Sequence, residues 1–379
     1  MKRTISIILT ALIIATTLCA CSVNVNITNG HTVYVRDDFF SETITAIFSS
    51  TDSEDTEEIK MTLVSEGDEY NTYSAAADTD KFDRVVLVAD GDKSGELAFN
   101  DYVSGWHLSS DGVVPFTYDE DEPEPDYEIV TLPYSKTEKD IYIWTPDDYD
   151  ESEKYSVIYM TDGQNLFNKN ATSTGSWGAA ESVKSMMKLS EHKAIIVGID
   201  DSTSNRDSEL TPNIGKSTDE NFDGGTGEYF SDFVVGDVVP YIESNYSVYT
   251  TPEHNSICGS SSGGIESFYI GMEHPDKFGT IGALSPAFSL FDDETWVKYL
   301  KQKDFSDNTP FVYIFNGNND DLETYLLEGA KSMVNNLKEV DYPDEKVTIK
   351  IYDKGQHNER NWRMIFPEFL KFAFPSAEQ

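Results

Sequence analysis

The chain has 379 residues, and its 68 Asp and Glu against 28 Lys and Arg give a formal net charge of −40 at pH 7. This charge argues against nucleic-acid binding, because phosphate contacts need clustered Lys and Arg. An anionic lipid surface would repel the chain for the same reason. The sequence has no Cys pair or His-x-x-x-His spacing typical of a metal site, so we expect neither metal nor cofactor.

The N-terminus has the layout of a secretory signal, with basic Lys2-Arg3, an apolar stretch from Ile5 to Leu18 and small residues after it. The apolar stretch is shorter than the roughly 20 residues that cross a bilayer. Residues 18–21, Leu-Cys-Ala-Cys, resemble the end of a bacterial lipoprotein signal, which implies that Cys21 is lipidated after cleavage. We therefore expect a signal over 1–20, a tether over 21–30 and attachment to the extracellular face of the membrane through lipid alone. Ordinary secretion is the alternative.

Residues 31–118 are predicted to form a small β-sandwich, because short strand-like runs recur at regular intervals with few helical patterns between them. Part of this region, residues 82–106, resembles carbohydrate-binding modules of the starch-binding type. That resemblance implies that exposed aromatic rings of Tyr73, Tyr102 or Trp106 stack on sugars. The alternative is that these rings fill the core of the sandwich. The predicted strands are 33–35, 44–48, 61–64, 71–74, 84–88 and 96–99.

Residues 119–128, Asp-Glu-Asp-Glu-Pro-Glu-Pro-Asp-Tyr-Glu, predict an extended acidic linker, because like charges repel and proline stiffens the chain. The chain is also longer than most single domains. We therefore expect a second domain over 129–379.

The second domain is predicted to be an α/β structure with a mostly parallel central sheet, since buried strands alternate with helical patterns. Catalytic residues of such a sheet lie just past the carboxyl ends of the strands. The predicted strands are 155–160, 193–199, 280–284, 310–315 and 346–352, and the predicted helices are 178–187, 229–244, 264–273 and 322–338.

Residues 259–263, Gly-Ser-Ser-Ser-Gly, form a Gly-x-Ser-x-Gly motif between an apolar run and a helical pattern. This setting predicts a nucleophile elbow with Ser261 at its tip. Gly259 and Gly263 satisfy the need for small residues where strand and helix pass closely. A flexible Ser/Gly turn is the alternative interpretation.

A serine hydroxyl needs a general base and a carboxylate that orients the base. In α/β-hydrolases these follow in the order Ser, acid, His. His357 is the only histidine that comes after both the serine and a later strand end. For the acid we predict Asp320, which follows the penultimate strand, with Asp321 as the reserve.

Several blocks of the second domain carry a common pattern, among them 159–167, 258–264 and 284–286. Together they resemble an esterase family of α/β-hydrolases that includes esterase D, feruloyl and acetylxylan esterases, and enterochelin esterases. The similarity covers residues 127–374 and implies a triad at the same three positions. It also implies an oxyanion hole made by the backbone N–H of Ser262 and a donor from Gly163 or Gln164. Ser262 departs from the Met or Gln that is common there, which should matter little because the donor is backbone. The matching blocks are 159–167, 176–178, 197–199, Arg206, 209–212, 258–264, 274–278 and 284–286.

We therefore expect an extracellular, lipid-anchored serine carboxylesterase that hydrolyses feruloyl or acetyl esters on plant polysaccharide, or small esters. One alternative is a siderophore esterase or acyltransferase with the same triad. Another is an inactive glycan-binding lipoprotein, against which the intact Ser, Asp, His order argues. No feature of the sequence predicts an oligomeric state.

Overall fold

The computed structural model describes residues 31–50, 53, 55–66, 71–77, 81–98, 105–109, 112–116, 124–189, 192–201, 203–220, 222, 224–305, 308–352 and 355–373. The predicted signal and tether with Cys21, the aromatic residue Tyr102 and the first half of the predicted linker, residues 119–123, lie outside these ranges.

The N-terminal region is all-β, as predicted, and its strands form separate sheets within the described ranges. One sheet has the order β10-β9-β1-β5-β4 and the other the order β3-β2-β6-β7, with β8 paired to β6. Strands β1 and β9 pair in parallel, and the other pairs are antiparallel. The strands are β1 (His31–Asp37), β2 (Ile44–Ser49), β3 (Thr56–Lys60), β4 (Thr62–Glu66), β5 (Asn71–Ala77), β6 (Arg84–Ala89), β7 (Asp92–Lys93), β8 (Leu97–Ala98), β9 (Gly105–Ser109) and β10 (Gly112–Phe116).

Side chains from both N-terminal sheets share one apolar core, which is the arrangement of a sandwich. Trp106 and Tyr73 belong to this core and are only 2% and 4% exposed. The prediction that they stack on sugars is therefore wrong, because their strands turn these faces inward. Tyr73 instead donates a hydrogen bond from its hydroxyl to the Ser41 carbonyl at 2.5 Å.

The C-terminal region is built on a mostly parallel sheet, as predicted. Among the described residues its strand order is β11-β12-β14-β13-β15-β16-β17-β18. An antiparallel hairpin of β11 and β12, which we did not predict, forms one edge. The strands are β11 (Glu128–Tyr134), β12 (Thr137–Trp144), β13 (Ser156–Met160), β14 (Ala194–Ile199), β15 (Asn255–Ser260), β16 (Thr280–Leu284), β17 (Phe311–Gly317) and β18 (Val347–Tyr352).

The end of the predicted linker already packs on this sheet. The Tyr127 ring stacks on Phe167 with centroids 5.0 Å apart, and it also meets Tyr142 at 5.9 Å. Glu128 begins β11. Tyr127 and Glu128, which we assigned to the linker, therefore belong to the C-terminal region.

The four predicted helices of this region are present with ends shifted by at most two residues, and others join them. A π-helical segment, Val234–Val238, connects α3 to α4 in one continuous helix. The helices are α1 (Ala179–Leu189), α2 (Arg206–Glu209), α3 (Gly227–Phe233), α4 (Val239–Asn245), α5 (Ser262–Glu273), α6 (Asp293–Leu300), α7 (Asp321–Glu339) and α8 (Glu359–Ala373). No helix in the described ranges is long and apolar enough to cross a membrane.

Both faces of the parallel sheet are covered, which explains why its strands are continuous apolar runs. Along β13, Val157 and Tyr159 point into a core packed by α3 to α7. Ile158 and Met160 point into a core packed by α1 and α8. The carboxyl ends of the central strands are therefore held rigidly from both sides.

Lys139 on β12 is an exception to the apolar interior. Its side chain is 2% exposed, and Nζ lies 2.8 Å from Asp201 Oδ1 and 2.8 Å from Glu209 Oε2. It also donates to the Asp200 carbonyl at 3.0 Å. Burial alone would lower the pKa of Lys139, but its charge and hydrogen-bond interactions with Asp201 and Glu209 outweigh burial and raise it. This cluster ties β12 to the end of β14 and to α2.

We expect Lys139→Ala to lower the free energy of unfolding by about 3–5 kcal/mol, because it leaves buried carboxylates without their cation. Urea denaturation would measure the loss. Lys154→Ala, at an exposed lysine, is the matched control and should change stability by less than about 0.5 kcal/mol. Equal effects of the two substitutions would contradict the role assigned to Lys139.

Candidate active site

Ser261 lies between β15 and α5, at the carboxyl end of a central strand, as the motif predicts. Its backbone has φ 58° and ψ −123°, a conformation that costs energy for a residue with a side chain. The segment after β16 holds it in place: Ser261 N–H donates to the Leu284 carbonyl at 3.0 Å, and the Ser261 carbonyl accepts from Ala287 N–H at 3.1 Å. The serine is thus fixed in the strained turn of a nucleophile elbow.

Gly259 and Gly263 lie where the elbow permits no side chain. A Cβ at either position would overlap Thr161 Oγ1 at the end of β13. A Cβ on Gly259 would also come within 2.5 Å of the Gly263 carbonyl oxygen. The close approach of strand, helix and neighbouring strand thus explains both glycines of the motif.

Cys258, three residues before the serine, is no competing nucleophile. It is completely buried, and burial raises the pKa of its thiol well above the ordinary value. The thiolate that would attack a substrate is therefore not formed at neutral pH.

His357 lies in the loop after β18, with its side chain 14% exposed. Its Nδ1 is 3.0 Å from Oε1 of Glu323, which is fully buried. The other Glu323 oxygen accepts from Asn316 Nδ2 and from Gly317 N–H, both at 2.7 Å. Trp362 meets the imidazole edge-on, with ring centroids 5.1 Å apart. Glu323 therefore has the geometry to fix the tautomer and orientation of the imidazole.

Asp320, predicted to be the acid, has a different place in the structure. It is the N-cap of α7, and its Oδ1 accepts from Glu323 N–H at 2.7 Å. Its Oδ2 accepts from the backbone N–H of His357 at 2.8 Å. Asp321, the reserve, is exposed on the first turn of the helix. The partner of the imidazole is therefore corrected from Asp320 to Glu323. Glu323 is the third residue of α7 and faces the loop that carries His357, whereas both Asp320 oxygens accept backbone N–H groups.

The sequence contains a signal that could have located Glu323. Asp320 and Glu323 have the Asp-x-x-Glu spacing of a capping box at the start of a helix. In that motif the acid at the third position normally reaches back to the cap residue. Here its carboxylate bonds to Asn316, Gly317 and His357 instead.

The residues predicted for the oxyanion hole meet at the same end of the sheet. Met160 of β13 pairs with Cys258 of β15, so the segments that follow these strands are adjacent. Ser262 is the first residue of α5, and the N–H of such a residue has no intrahelical acceptor. The short 3₁₀ turn of Gly163–Asn165 follows β13 and begins after Asp162, whose φ is 54°.

The Gly163 turn is held tightly. A Cβ on Gly163 would come within 2.5 Å of the carbonyl carbon of Gly198 on β14. The Gln164 side-chain carbonyl accepts from Asp201 N–H at 3.1 Å. Backbone N–H groups of this turn are therefore held beside the elbow.

Glu359, at the start of α8, links the segment after His357 to the turn that follows β13 and to the loop after that turn. Its Oε1 accepts from Asn165 Nδ2 at 3.3 Å. Its Oε2 accepts from Thr172 Oγ1 at 3.0 Å and Thr174 Oγ1 at 2.7 Å. The loop 168–176 is thereby fastened to the segment that carries His357. Sequence patterns gave no indication of this link.

No group of three or more His, Cys, Asp or Glu that could hold a metal ion occurs in the part of the chain that the structure describes. The arrangement that it does contain, a strained serine at the same end of the sheet as a histidine–carboxylate pair and backbone donors, suits acyl transfer.

A family model and a relative from Bacillus subtilis both match this chain. Residues 134–372 match the model of the family described as "Putative esterase". The uncharacterized protein YbbA of Bacillus subtilis is 22% identical over 240 residues, which cover 61% of this chain and 91% of YbbA.

Solved structures share the fold. The enterobactin esterase FES from Shigella flexneri superposes with a TM-score of 0.52 at 14% identity and covers 90% of this chain and 92% of its own. A CE1 ferulic acid esterase from Anaeromyces mucronatus, in complex with ferulic acid, gives 0.50 at 21% identity and covers 68% and 94%. Since the family model spans well over half of the sequence, the chain belongs to this esterase family and is a carboxylic ester hydrolase of the α/β-hydrolase fold.

Proposed function

We propose that the chain is a serine carboxylesterase with Ser261 as nucleophile, His357 as base and Glu323 as the orienting acid. The observation that carries this proposal is the 3.0 Å contact between His357 Nδ1 and the buried Glu323 carboxylate, at the sheet end that bears the strained serine. A carboxylate on Nδ1 leaves Nε2 to accept the proton of the serine hydroxyl.

The reaction follows from these roles. Ser261 Oγ bonds to the ester carbonyl carbon as its proton passes to His357, and the carbonyl oxygen becomes an oxyanion. Backbone N–H groups of Ser262 and of Gly163 or Gln164 stabilise that charge. The intermediate collapses, the C–O bond to the alcohol breaks, and His357 protonates the leaving alcohol. Water, deprotonated by the same imidazole, then releases the acid and restores the serine.

The substrates we propose are feruloyl or acetyl esters on plant polysaccharide. The fold shared with a ferulic acid esterase supports this choice, as does the secretory N-terminus, which gives access to extracellular polymers. We further propose that the mature protein is held at the outer face of the membrane through lipid on Cys21, with no protein segment of its own in the bilayer.

A siderophore ester is the second candidate substrate, and one observation favours it. The likeness to the enterobactin esterase extends over 90% of this chain and so includes the N-terminal β region. Both candidates use the same serine, so substrate tests must separate them.

Ser261→Ala is expected to reduce hydrolysis of p-nitrophenyl acetate and methyl ferulate by about three or more powers of ten, because the nucleophile is lost while the fold remains. Rates on these esters and on a ferric catecholate ester, with circular dichroism as the folding control, would measure the effect. Preference for methyl ferulate supports the polysaccharide reading, and preference for the catecholate supports the siderophore reading. Substantial activity in the alanine variant would end the serine assignment.

Glu323→Gln is expected to lower kcat by about two to four powers of ten, because an amide cannot hold the imidazole in the required tautomer. Asp321→Asn, at the exposed neighbour in the same turn, is the control and should leave kcat within about twofold. Steady-state kinetics with methyl ferulate would compare them. A Glu323→Gln enzyme close to wild type, with Asp320→Asn severely impaired, would restore Asp320 as the acid.

Cys21→Ser is expected to release the protein from the membrane fraction or to block its maturation, because diacylglycerol attachment needs the thiol. A single acyl chain binds membranes only marginally, so release should be nearly complete once all lipid is lost. Fractionation followed by immunoblotting would show it, with Cys19→Ser as the control. Unchanged fractionation of the Cys21 variant would indicate that the protein is not lipid-anchored at this residue.

A further inference from the structure

The short helix α2 crosses the junction between the segments that carry the proposed oxyanion donors. Its first residue, Arg206, donates from Nε to Asp162 Oδ1 at 2.5 Å and from Nη2 to Asp162 Oδ2 at 2.6 Å. Asp162 is 3% exposed and directly precedes Gly163. The guanidinium therefore binds Asp162, which directly precedes the 3₁₀ turn Gly163–Asn165, through two parallel hydrogen bonds. This bidentate geometry is the strongest for Arg and a carboxylate.

The same guanidinium also reaches the elbow. Nη2 lies 3.5 Å from the carbonyl oxygen of Ser260, the residue before the nucleophile. Nη1 lies 3.2 Å from Asp207 Oδ1, and that oxygen accepts from Ser262 Oγ at 2.9 Å. An unbroken series of contacts, Asp162–Arg206–Asp207–Ser262, thus joins the two oxyanion segments.

The backbone conformation of Asp162 explains why these contacts are needed. Asp162 has a left-handed φ of 54°, which is unfavourable for a residue with a Cβ and persists only where contacts enforce it. Relaxation of that angle would swing the N–H groups of the following turn away from the elbow. Burial disfavours the charge on Arg206, but its hydrogen bonds with Asp162 and the charge of that carboxylate outweigh burial and raise the pKa. The guanidinium therefore stays charged in this buried position.

Other duties for Arg206 fit these contacts less well. Its Nε, Nη1 and Nη2 all donate to groups of the protein, and its side chain is 27% exposed, so it is poorly placed to bind an anionic substrate. The far end of α2 is already anchored by the contact of Glu209 with Lys139. Arg206 is thus not required merely to attach the helix.

We propose that Arg206 is a positioning residue that aligns both halves of the oxyanion hole, through Asp162 on one side and through Asp207 and Ser262 on the other. This inference rests on the proposed active site. It also gives the Ser262 side chain a role, since that hydroxyl completes the series through its hydrogen bond to Asp207.

The test compares Arg206→Ala, Arg206→Lys and Ser262→Ala with wild type on methyl ferulate. We expect kcat to fall about 10- to 100-fold in both Arg206 variants while KM stays within about twofold, because misplaced donors affect the transition state and not substrate binding. Lysine should not substitute, since it lacks the planar two-point geometry. Ser262→Ala should lose less, about 2- to 10-fold, because only the outer contact is removed.

Two further readouts separate positioning from mere structural support. Affinity for a trifluoromethyl ketone, which forms a tetrahedral oxyanion on serine, should weaken in parallel with kcat. Added guanidinium chloride at millimolar concentration should partly restore kcat in Arg206→Ala and not in Arg206→Lys. Arg84→Ala on β6 of the sandwich is the matched control and should leave both constants unchanged.

Three outcomes would overturn the inference. A raised KM with unchanged kcat would make Arg206 a substrate-binding group. Activity loss in step with the unfolded fraction seen by circular dichroism, with unchanged kcat per folded molecule, would make it only structural. Wild-type kinetics in both Arg206 variants would remove its role altogether. If hydrolysis also survives Ser261→Ala, the proposed active site itself has failed, which the Arg206 results alone would not show.

Discussion

The structure of the site depends on how closely the ends of β13 and β15 approach each other. Met160 pairs with Cys258, and Thr161 Oγ1 occupies the space where side chains at Gly259 and Gly263 would lie. This approach forces Ser261 into its strained turn and brings the segment after β13 beside the start of α5. The proposed nucleophile and oxyanion donors therefore depend on the same close packing of the two strand ends. A single methyl group added at Gly259 or Gly263 would push these strand ends apart.

A second constraint arises from one carboxylate whose two oxygens both accept backbone N–H groups. Asp320 accepts the N–H of Glu323 with one oxygen and the N–H of His357 with the other. The proposed acid and base, which are 34 positions apart in sequence, are thus both held by the Asp320 side chain. These two hydrogen bonds fix the start of α7 relative to the loop that carries His357. The buried Glu323 carboxylate is then free to orient the imidazole.

The sequence predicted the features that follow from local patterns. Alternating strand and helix periodicity identified the parallel sheet, and Gly-x-Ser-x-Gly located the elbow at Ser261. Glu323 was missed because its role depends on which face of α7 meets a loop that arrives from the far end of the chain. Burial of Trp106 and Tyr73 depends in the same way on which faces of the N-terminal sheets pair. Period-two patterns identify strands without saying which aromatic face turns inward.

The contacts of Glu359 restrict the motion of the segments that they join. Its carboxylate fastens the loop 168–176 and the turn at Asn165 to the helix that follows the base. The loop 168–176 and the turn at Asn165 do not have to become ordered when a ligand binds beside them, so the entropic cost of such binding is small. Selectivity beside these segments should therefore come from the shape of a preformed surface, and any larger motion during turnover should belong to segments that lack such contacts.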